Sequence, residues 1–491
     1  MKSKFSKVLS VVLSVVLVIS SFYLLYQVIR LNVLPTKFLF PLTIGVVVLD
    51  AIFILLLVYF SKNVVSKIVC IVLTLFICVA SCMGGYYISK TQNVLSSITN
   101  VAKHAKNTVS VIVKESSSIK NKSQLNGVSV GSLRLNEQGS KKALKELSNE
   151  GIVLNQTEYD SMTALLEAFY NGEVDSIIIN ESSRSQILDM EAYSNFDSNT
   201  RVVYQTSYKV KNNDSATSVS DITSKPFNVL ISGSDTRGGF DENGRSDVIM
   251  IATVNPKTHT ILLTSVPRDF YVTTACDAGD GCMQGALDKI THTGIHGTNT
   301  TKRTVEQLLG IEINYTFKVG FDTVTELVDI LGGVDVYVEP GYATTTSEFS
   351  VHEGVNHLNA QQALAFARER YSYTEGDRQR TKNQQQVLMG IVKEATKPSV
   401  ITNYAAIMDT MANTFSTTMS NEEITDLIKY QLNNNPTWKM EQYMVDGTGD
   451  TLMCAELGDA ASVMVPDQST VKMAKDKINA VLAGKSSEDV K

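Results

Sequence analysis

Arginine is crowded into a few places in a chain that otherwise carries an excess of acid. Of twelve arginines in 491 residues, seven fall in three short blocks, although the formal net charge is −6. The blocks are Ser232–Asp247 (SGSDTRGGFDENGRSD), Ser265–Tyr271 (SVPRDFY) and Phe366–Gln386 (FARERYSYTEGDRQRTKNQQQ). A guanidinium is a planar fork that binds phosphate oxygens two at a time and stays charged, so several converging forks suit a diphosphate. The first block adds Asp235 and Asp247, each at a predicted strand end, around a glycine-rich turn that lets backbone approach a ligand closely. Hard carboxylate oxygens of this kind suit Mg²⁺ or Mn²⁺, shared between one or two carboxylates and substrate phosphates. A metal with arginines would neutralise a diphosphate leaving group, and charge stabilisation of that sort is the main task in phosphoryl transfer.

Taken singly, each of these residues has a plainer reading. Arg368 and Arg370 stand two apart, on different faces of a helix, and could pair with Glu369 at the surface. Asp235 could close an Asx turn, and Arg268–Asp269 could be a structural ion pair. Gln384 and Gln385 read as helix surface. What shifts the balance is the joint pattern: each block sits at a strand end or in a loop, and their charges complement one anionic ligand.

The elements that must hold these blocks are legible in outline. Phe227–Ser232 is a buried-looking strand, and Asp247–Val254 and Thr260–Val266 form a hairpin through Asn-Pro-Lys-Thr-His. Helical periodicity follows at Thr301–Leu309, Phe321–Leu331, Ala360–Arg368, Gln384–Ala395 and Val400–Phe415. Upstream, strand-like Val109–Val113, Gly127–Gly131 and Ser176–Ile179 alternate with helix-like Gly139–Asn149 and Ser161–Asn171, which makes a small α/β unit. Lys211–Lys225, rich in Ser, Thr, Asp and Asn, reads as an exposed linker with a boundary near 220, and Gly484–Lys491 as a frayed tail.

Before residue 90 the chain has a different character. Three apolar runs, about 8–28, 38–60 and 69–88, each approach the ~20 residues that cross a bilayer, so the segment is an anchor of three transmembrane helices and not a cleaved signal. Lys2, Lys4, Lys7, Lys62 and Lys67 against Arg30, Lys37 and Lys90 favour a cytoplasmic N-terminus and extracytoplasmic domains. Cys70, Cys78 and Cys82 lie in the third span as small apolar residues, whereas Cys276 and Cys282 flank a Gly/Asp loop outside the membrane, where a loop-closing disulfide is expected. Cys454 is left over. Asp50, in the second span, is assigned no role.

The ordered series GSDTR, GRSDVIMIATVNP, SVPRDFYV, LDKITH, ELVDILGGVDVYV and ARERYSYTEGDRQRTKNQQQVL resembles the LytR-CpsA-Psr family over roughly residues 226–400, in particular its capsule-biosynthesis members of streptococcal type. Three preceding spans and an accessory domain match the same subgroup. The architecture implied is α/β: an anchor (1–90), an accessory domain (105–215), a catalytic domain with a central β-sheet flanked by helices (226–400) and a C-terminal extension packed on it (401–483). The activity implied is transfer of a glycopolymer, capsular polysaccharide or a similar anionic polymer, from undecaprenyl pyrophosphate to a peptidoglycan sugar hydroxyl.

Matched motif by motif, the resemblance gives Mg²⁺ (or Mn²⁺) to Asp235 and Asp247, and the pyrophosphate to Arg268, Arg368, Arg370, Arg380 and Gln384, with Arg245, Lys289 and Arg378 in support. Asp269 is the candidate base for the acceptor hydroxyl. It also implies an apolar tunnel for the polyprenyl tail, with Gln384–Ala395 and Val400–Phe415 as lining, and a partnership with other capsule-assembly proteins. Two readings stay open beside it: a polyprenyl-pyrophosphate phosphatase, and a non-catalytic membrane regulator of polymer synthesis and chain length. Nucleic acid is not an expected partner, because the basic crowding is extracytoplasmic and no DNA-reading helix pair is recognisable.

Overall fold

The computed structural model describes residues 2–60, 63–99, 104–134, 137–234, 242–277, 282–397, 406–407 and 415–490. The chain divides into two compact units, Met1–Thr99 with Val392–Ala412 and Ser420–Thr437, and Asn100–Ile391 with Asn413–Met419 and Trp438–Lys491.

In the first unit, three helices (Lys2–Leu31, Thr36–Leu55 and Val64–Thr99) are long and apolar enough to cross a membrane, and they coincide with the three expected spans. Their apolar side chains point outward as well as inward, as lipid-facing helices require. Asp50 is satisfied within the bundle, where Ser21 Oγ donates to its Oδ1 at 2.9 Å. The third helix runs 36 residues, about 54 Å at 1.5 Å per residue, and so outlasts a bilayer. Near its end Thr99 donates to Asn421 (2.6 Å), at the start of the helix Asn421–Asn434. That helix also takes Lys37 on the Asn433 carbonyl, and its Lys429 donates to Asn32.

The second unit contains both α/β sheets. The smaller sheet orders its strands Asn155–Tyr159, Ser129–Leu133, Ser176–Asn180, His104–Lys114 and Thr200–Lys211. Its first three strands are parallel neighbours, and the last two add antiparallel. Alternation in His104–Lys114 sends Val109 and Val111 into a core under the helix Glu137–Asn149. Past a register shift, Ile112 enters a second core with Leu165 and Phe169 of the helix Met162–Asn171. Cys454, Leu457 and Val463, from the hairpin Gly447–Cys454/Asp459–Pro466, belong to that second core, so the small domain and the C-terminal segment share buried surface.

The larger sheet has six strands in the order Phe415–Thr417, Tyr315–Gly320, Phe227–Ser234, Val248–Asn255, Thr260–Val266 and Lys439–Met444. The expected hairpin is present, its four-residue turn (256–259) closed by His259 at φ 52° and by Asn255, the last strand residue, accepting from the Lys257 N–H. Helices Thr298–Leu309 and Gln468–Leu482 cover one face through Leu230, Ile251, Leu262, Val305, Ile478 and Val481. A satellite core around Val334, Val336, Phe349 and Phe366 supports the helix Ala360–Arg368.

Three expectations need correction. Residues 401–483 are no appended extension: Phe415–Thr417 and Lys439–Met444 are the two outermost strands of the central sheet itself. Of the expected frayed tail Gly484–Lys491, the described part, Gly484–Val490, is held, because Glu441 accepts from Ser486 Oγ and the Ser487 N–H at 2.8 Å each, leaving Ser487 buried. The linker Lys211–Lys225 is docked, since the Thr217 N–H donates to the Asn314 carbonyl, Lys302 donates to Ser215, and Ile222 is buried. The expected helix Val400–Phe415 falls mostly outside the described residues, and Phe415 opens a strand.

Candidate active site

Strand direction gathers the first two blocks. Phe227–Ser234 and Val248–Asn255 are antiparallel with Gly233 opposite Val248, and Ile249 lies opposite Val266. The end of the first strand, the start of the second and the end of Thr260–Val266 therefore meet at one sheet edge, which brings Asp247 and Arg268 together. Asp235, one residue past Ser234, lies outside the described residues. The approach is close: a Cβ on Gly233 would meet Val248 Cβ at 2.8 Å.

At this edge Arg268 Nη1 donates to Asp247 Oδ1 at 2.9 Å, and Arg245 Nη2 stands 4.0 Å from the same oxygen. Both guanidinium groups are largely buried, Arg268 at 14% and Arg245 at 11% side-chain exposure. Lys289 Nζ donates to Asp269 Oδ1 at 3.2 Å, with Arg268 Nε 3.8 Å from the other Asp269 oxygen. Thr291 joins the loops: its N–H donates to the Arg268 carbonyl and its own carbonyl accepts from the Ser246 N–H, each at 3.0 Å. A chain of hydroxyls, Ser232–Ser246–Thr301–Thr293, fixes Ser246 beside Arg245. Asp288 sets Lys289, accepting from its backbone N–H, contacting His292 Nδ1 at 2.7 Å and taking the Glu456 N–H at 2.8 Å.

The helix Asp377–Ala395 supplies the third side. Arg380 is paired with Asp377, and Gln384 follows one turn later on the same face. Burial would lower the Arg268 guanidinium, yet Asp247, Asp269 and Asp377 more than offset it and hold the charge more firmly than usual. Arg380 goes the other way: burial lowers it, and Arg268 and Arg370 push in the same direction against Asp377 and Asp247. Asp189, from the smaller domain, is held below the usual carboxylate range: burial would raise it, but Arg245, Arg268 and Lys289 outweigh that. Cations are thus packed close enough to repel one another and are balanced by carboxylates.

Most telling are the donors left over. Arg245 Nε, Arg268 Nε and Arg380 Nε are all buried with no hydrogen-bond partner in the protein. A buried N–H without a partner costs about 1–3 kcal/mol, more for a charged group. Three such donors in one cluster can be satisfied together by an anion with several oxygens.

Other expected residues are engaged differently. Arg378 donates to the Gly447 carbonyl (2.9 Å) and pairs with Asp446 (2.7 Å), which commits it to the strand-end loop. Arg370 stacks on Tyr371, 4.7 Å from the ring centroid. Arg368 is exposed at the last turn of its helix. Three residues that sequence reasoning passed over matter here: Asp377, Asp189, and Gln385, which ties its helix to the sheet through the Leu263 and Tyr443 carbonyls. Asp377 was available inside the third block; Asp189 carried no local signal.

Among the described residues no group of three or more His, Cys, Asp or Glu side chains is arranged to hold a metal ion. Asp247 fits the more modest demand of Mg²⁺ for one or two carboxylates shared with phosphate oxygens, since both its cationic contacts fall on Oδ1. Cys276 and Cys282 form a disulfide, with Cα atoms 6.3 Å apart.

Residues 192–480 match the model of the LytR_cpsA_psr family. Over 241 residues the chain is 31% identical to the polyisoprenyl-teichoic acid–peptidoglycan teichoic acid transferase TagU of Bacillus cereus strain AH820, covering 48% of this chain and 76% of that protein. The protein of the same name from Bacillus subtilis strain 168 is 34% identical over 203 residues, 41% of this chain and 63% of its own. The crystal structure of B. subtilis TagU aligns with 52% of this chain and 97% of its own at 28% identity and a TM-score of 0.41.

Proposed function

The chain belongs to the LytR_cpsA_psr family, and from that premise we propose that it is a membrane-anchored transferase moving a glycopolymer from a polyprenyl diphosphate carrier to peptidoglycan. The observation that carries this reading is the trio of buried, unpartnered guanidinium Nε donors beside Asp247. Relatives named as polyisoprenyl-teichoic acid–peptidoglycan transferases support the reaction class. For the finer identity, the resemblance of the motif blocks to capsule-type members favours capsular polysaccharide or a similar anionic polymer on an undecaprenyl carrier.

The acceptor sugar hydroxyl attacks the phosphorus that bears the glycan. The bond from that phosphorus to the bridging oxygen breaks, leaving polyprenyl monophosphate and a glycan joined to peptidoglycan by a phosphodiester. Arg245, Arg268 and Arg380 hold the diphosphate oxygens through their free Nε edges and neutralise the charge that gathers on the leaving phosphate. Asp269, oriented by Lys289, accepts the hydroxyl proton. Mg²⁺, held by Asp247 together with Asp235, would supply further charge neutralisation on the diphosphate. The domains lie outside the membrane with the N-terminus inside, which suits the lysine bias of the spans and the persistence of a Cys276–Cys282 disulfide. Other capsule-assembly proteins are expected neighbours.

The test uses full-length protein in nanodiscs with glycan-labelled polyprenyl diphosphate, Mg²⁺ and peptidoglycan fragments. Label is expected on the fragments with wild type and not with Asp247→Ala or Arg268→Ala. Lipid cleaved with no label on any acceptor would favour hydrolysis; lipid bound but intact would favour a regulator.

A further inference from the structure

The smaller domain touches the arginine cluster at two points, and both bear on Arg245. From one side, Lys106 and Thr108 of strand His104–Lys114 hold Glu242: Lys106 Nζ lies 3.2 Å from Glu242 Oε1, and Thr108 donates to the same oxygen. The Asn243 N–H donates to the Lys106 carbonyl at 3.4 Å, and Lys318 Nζ donates to the Glu242 carbonyl at 2.7 Å. Glu242 is 7% exposed, so this backbone anchor, three residues before Arg245, is fixed. From the other side Asp189, last residue of the helix Arg184–Asp189, takes Arg245 Nη1 at 2.5 Å. That helix is itself tied down, with Arg184 on Glu181 (2.6 Å) and Asp197 (3.0 Å).

An arginine side chain carries about 2 kcal/mol of rotamer entropy, which a ligand must overcome unless the protein has already removed it. Here the root and the tip of Arg245 are each held by the smaller domain, and the buried Nε edge is the part left for a ligand. The Asp189 carboxylate also offsets repulsion among Arg245, Arg268 and Lys289, all of which act on it.

We propose that Asp189 is a positioning residue of the diphosphate site, through which the accessory domain aims Arg245 at the substrate. The proposal rests on the functional reading above and assigns the accessory domain a part in it. Asp189 touches no reacting atom; it acts through Arg245.

The experiment measures binding of farnesyl diphosphate, and steady-state transfer, with full-length protein in nanodiscs. Asp189→Ala should weaken binding about tenfold, equivalent to about 1.4 kcal/mol, and raise KM with kcat within twofold. Asp189→Asn, which keeps an acceptor oxygen for Nη1, should recover most of the loss. In an Arg245→Ala background, Asp189→Ala should cost nothing more. Asp189 offsets three neighbouring cations but is half exposed, so Asp189→Ala and Asp189→Asn should each lower the thermal midpoint by only about 1–3 °C, while only the first loses binding. Equal or tighter binding by Asp189→Ala, or the same loss with and without Arg245, overturns the proposal alone. Wild type that does not bind farnesyl diphosphate overturns the functional reading with it.

Discussion

Replacing Arg268 with lysine separates charge from geometry at the site. In the wild type the guanidinium has two separate edges: Nη1 donates to Asp247 at 2.9 Å, and the buried Nε makes no hydrogen bond in the protein, its nearest carboxylate oxygen being 3.8 Å away on Asp269. A lysine ammonium is a single point of charge, able to neutralise Asp247 or to reach a ligand oxygen but not to do both in the arginine geometry. Stability should therefore change by less than about 1 kcal/mol, because the buried carboxylate keeps a cation. Catalysis should lose one hydrogen bond between charged groups, about 1.5–3 kcal/mol, which at about 1.4 kcal/mol per decade is a fall of roughly 10- to 150-fold in kcat/KM. Arg268→Ala should lose the same contact and destabilise the fold as well, by about 3 kcal/mol, since Asp247 is then left without its closest cation. The assay is initial-rate transfer at varied lipid concentration beside thermal unfolding of the same preparations. A lysine variant within threefold of wild type in kcat/KM would mean that the free Nε edge is not used, and the reasoning about unpartnered donors would fall with it.

Further consequences follow from particular side chains. Glu441 is almost fully enclosed; burial would raise it, but Lys439, Ser486 and Ser487 draw its carboxyl down from 4.5 to about 2. A depressed carboxylate stabilises above its unfolded pKa and loses that contribution as pH falls. Glu441→Gln should therefore cost about 3 kcal/mol at pH 7, with the gap closing between about pH 4.5 and 2 in denaturant titrations. Gly233→Ala puts a Cβ 2.8 Å from Val248 Cβ, so it should destabilise by about 1–3 kcal/mol and lower transfer by shifting Asp247, both read from one purified variant. Converting Cys276 and Cys282 together to serine frees a loop whose ends are six residues apart, which should lower stability by about 2 kcal/mol in unfolding experiments under non-reducing conditions.

How far the sequence disclosed this molecule depended on the range of the interactions. The three spans and the hairpin around Asn-Pro-Lys-Thr-His rest on local hydropathy and turn chemistry, and both are present where expected. Crowding of like charge in the arginine blocks pointed the sequence reading to one shared site, and strand direction does bring Arg245 and Arg268 to one edge with Asp247. What stayed hidden was non-local. Lys439–Met444, whose sequence KMEQYM has no strong strand signature, becomes a sheet strand through parallel pairing with Thr260–Val266, far away in the chain. Phe415–Thr417 is too short to stand out by pattern. Asp189 lies 56 residues from Arg245 in another domain, so no spacing rule could join them. Gln385 looked like helix surface because its role, bonding two sheet carbonyls, exists only once the helix is docked. The helix itself begins at Asp377, earlier than apolar periodicity suggested, because its first turns carry the charges of the site rather than core residues.

Transfer and hydrolysis differ in which bonds are made and broken, and ³¹P NMR of a completed reaction with lipid-diphosphate glycan and peptidoglycan fragments reads them directly. Transfer should give polyprenyl monophosphate and a new phosphodiester resonance in equal amounts, both lost in Asp247→Ala. Polyprenyl monophosphate accompanied by a glycan phosphomonoester, with no phosphodiester, would contradict it, because water and not a wall sugar would then be the acceptor.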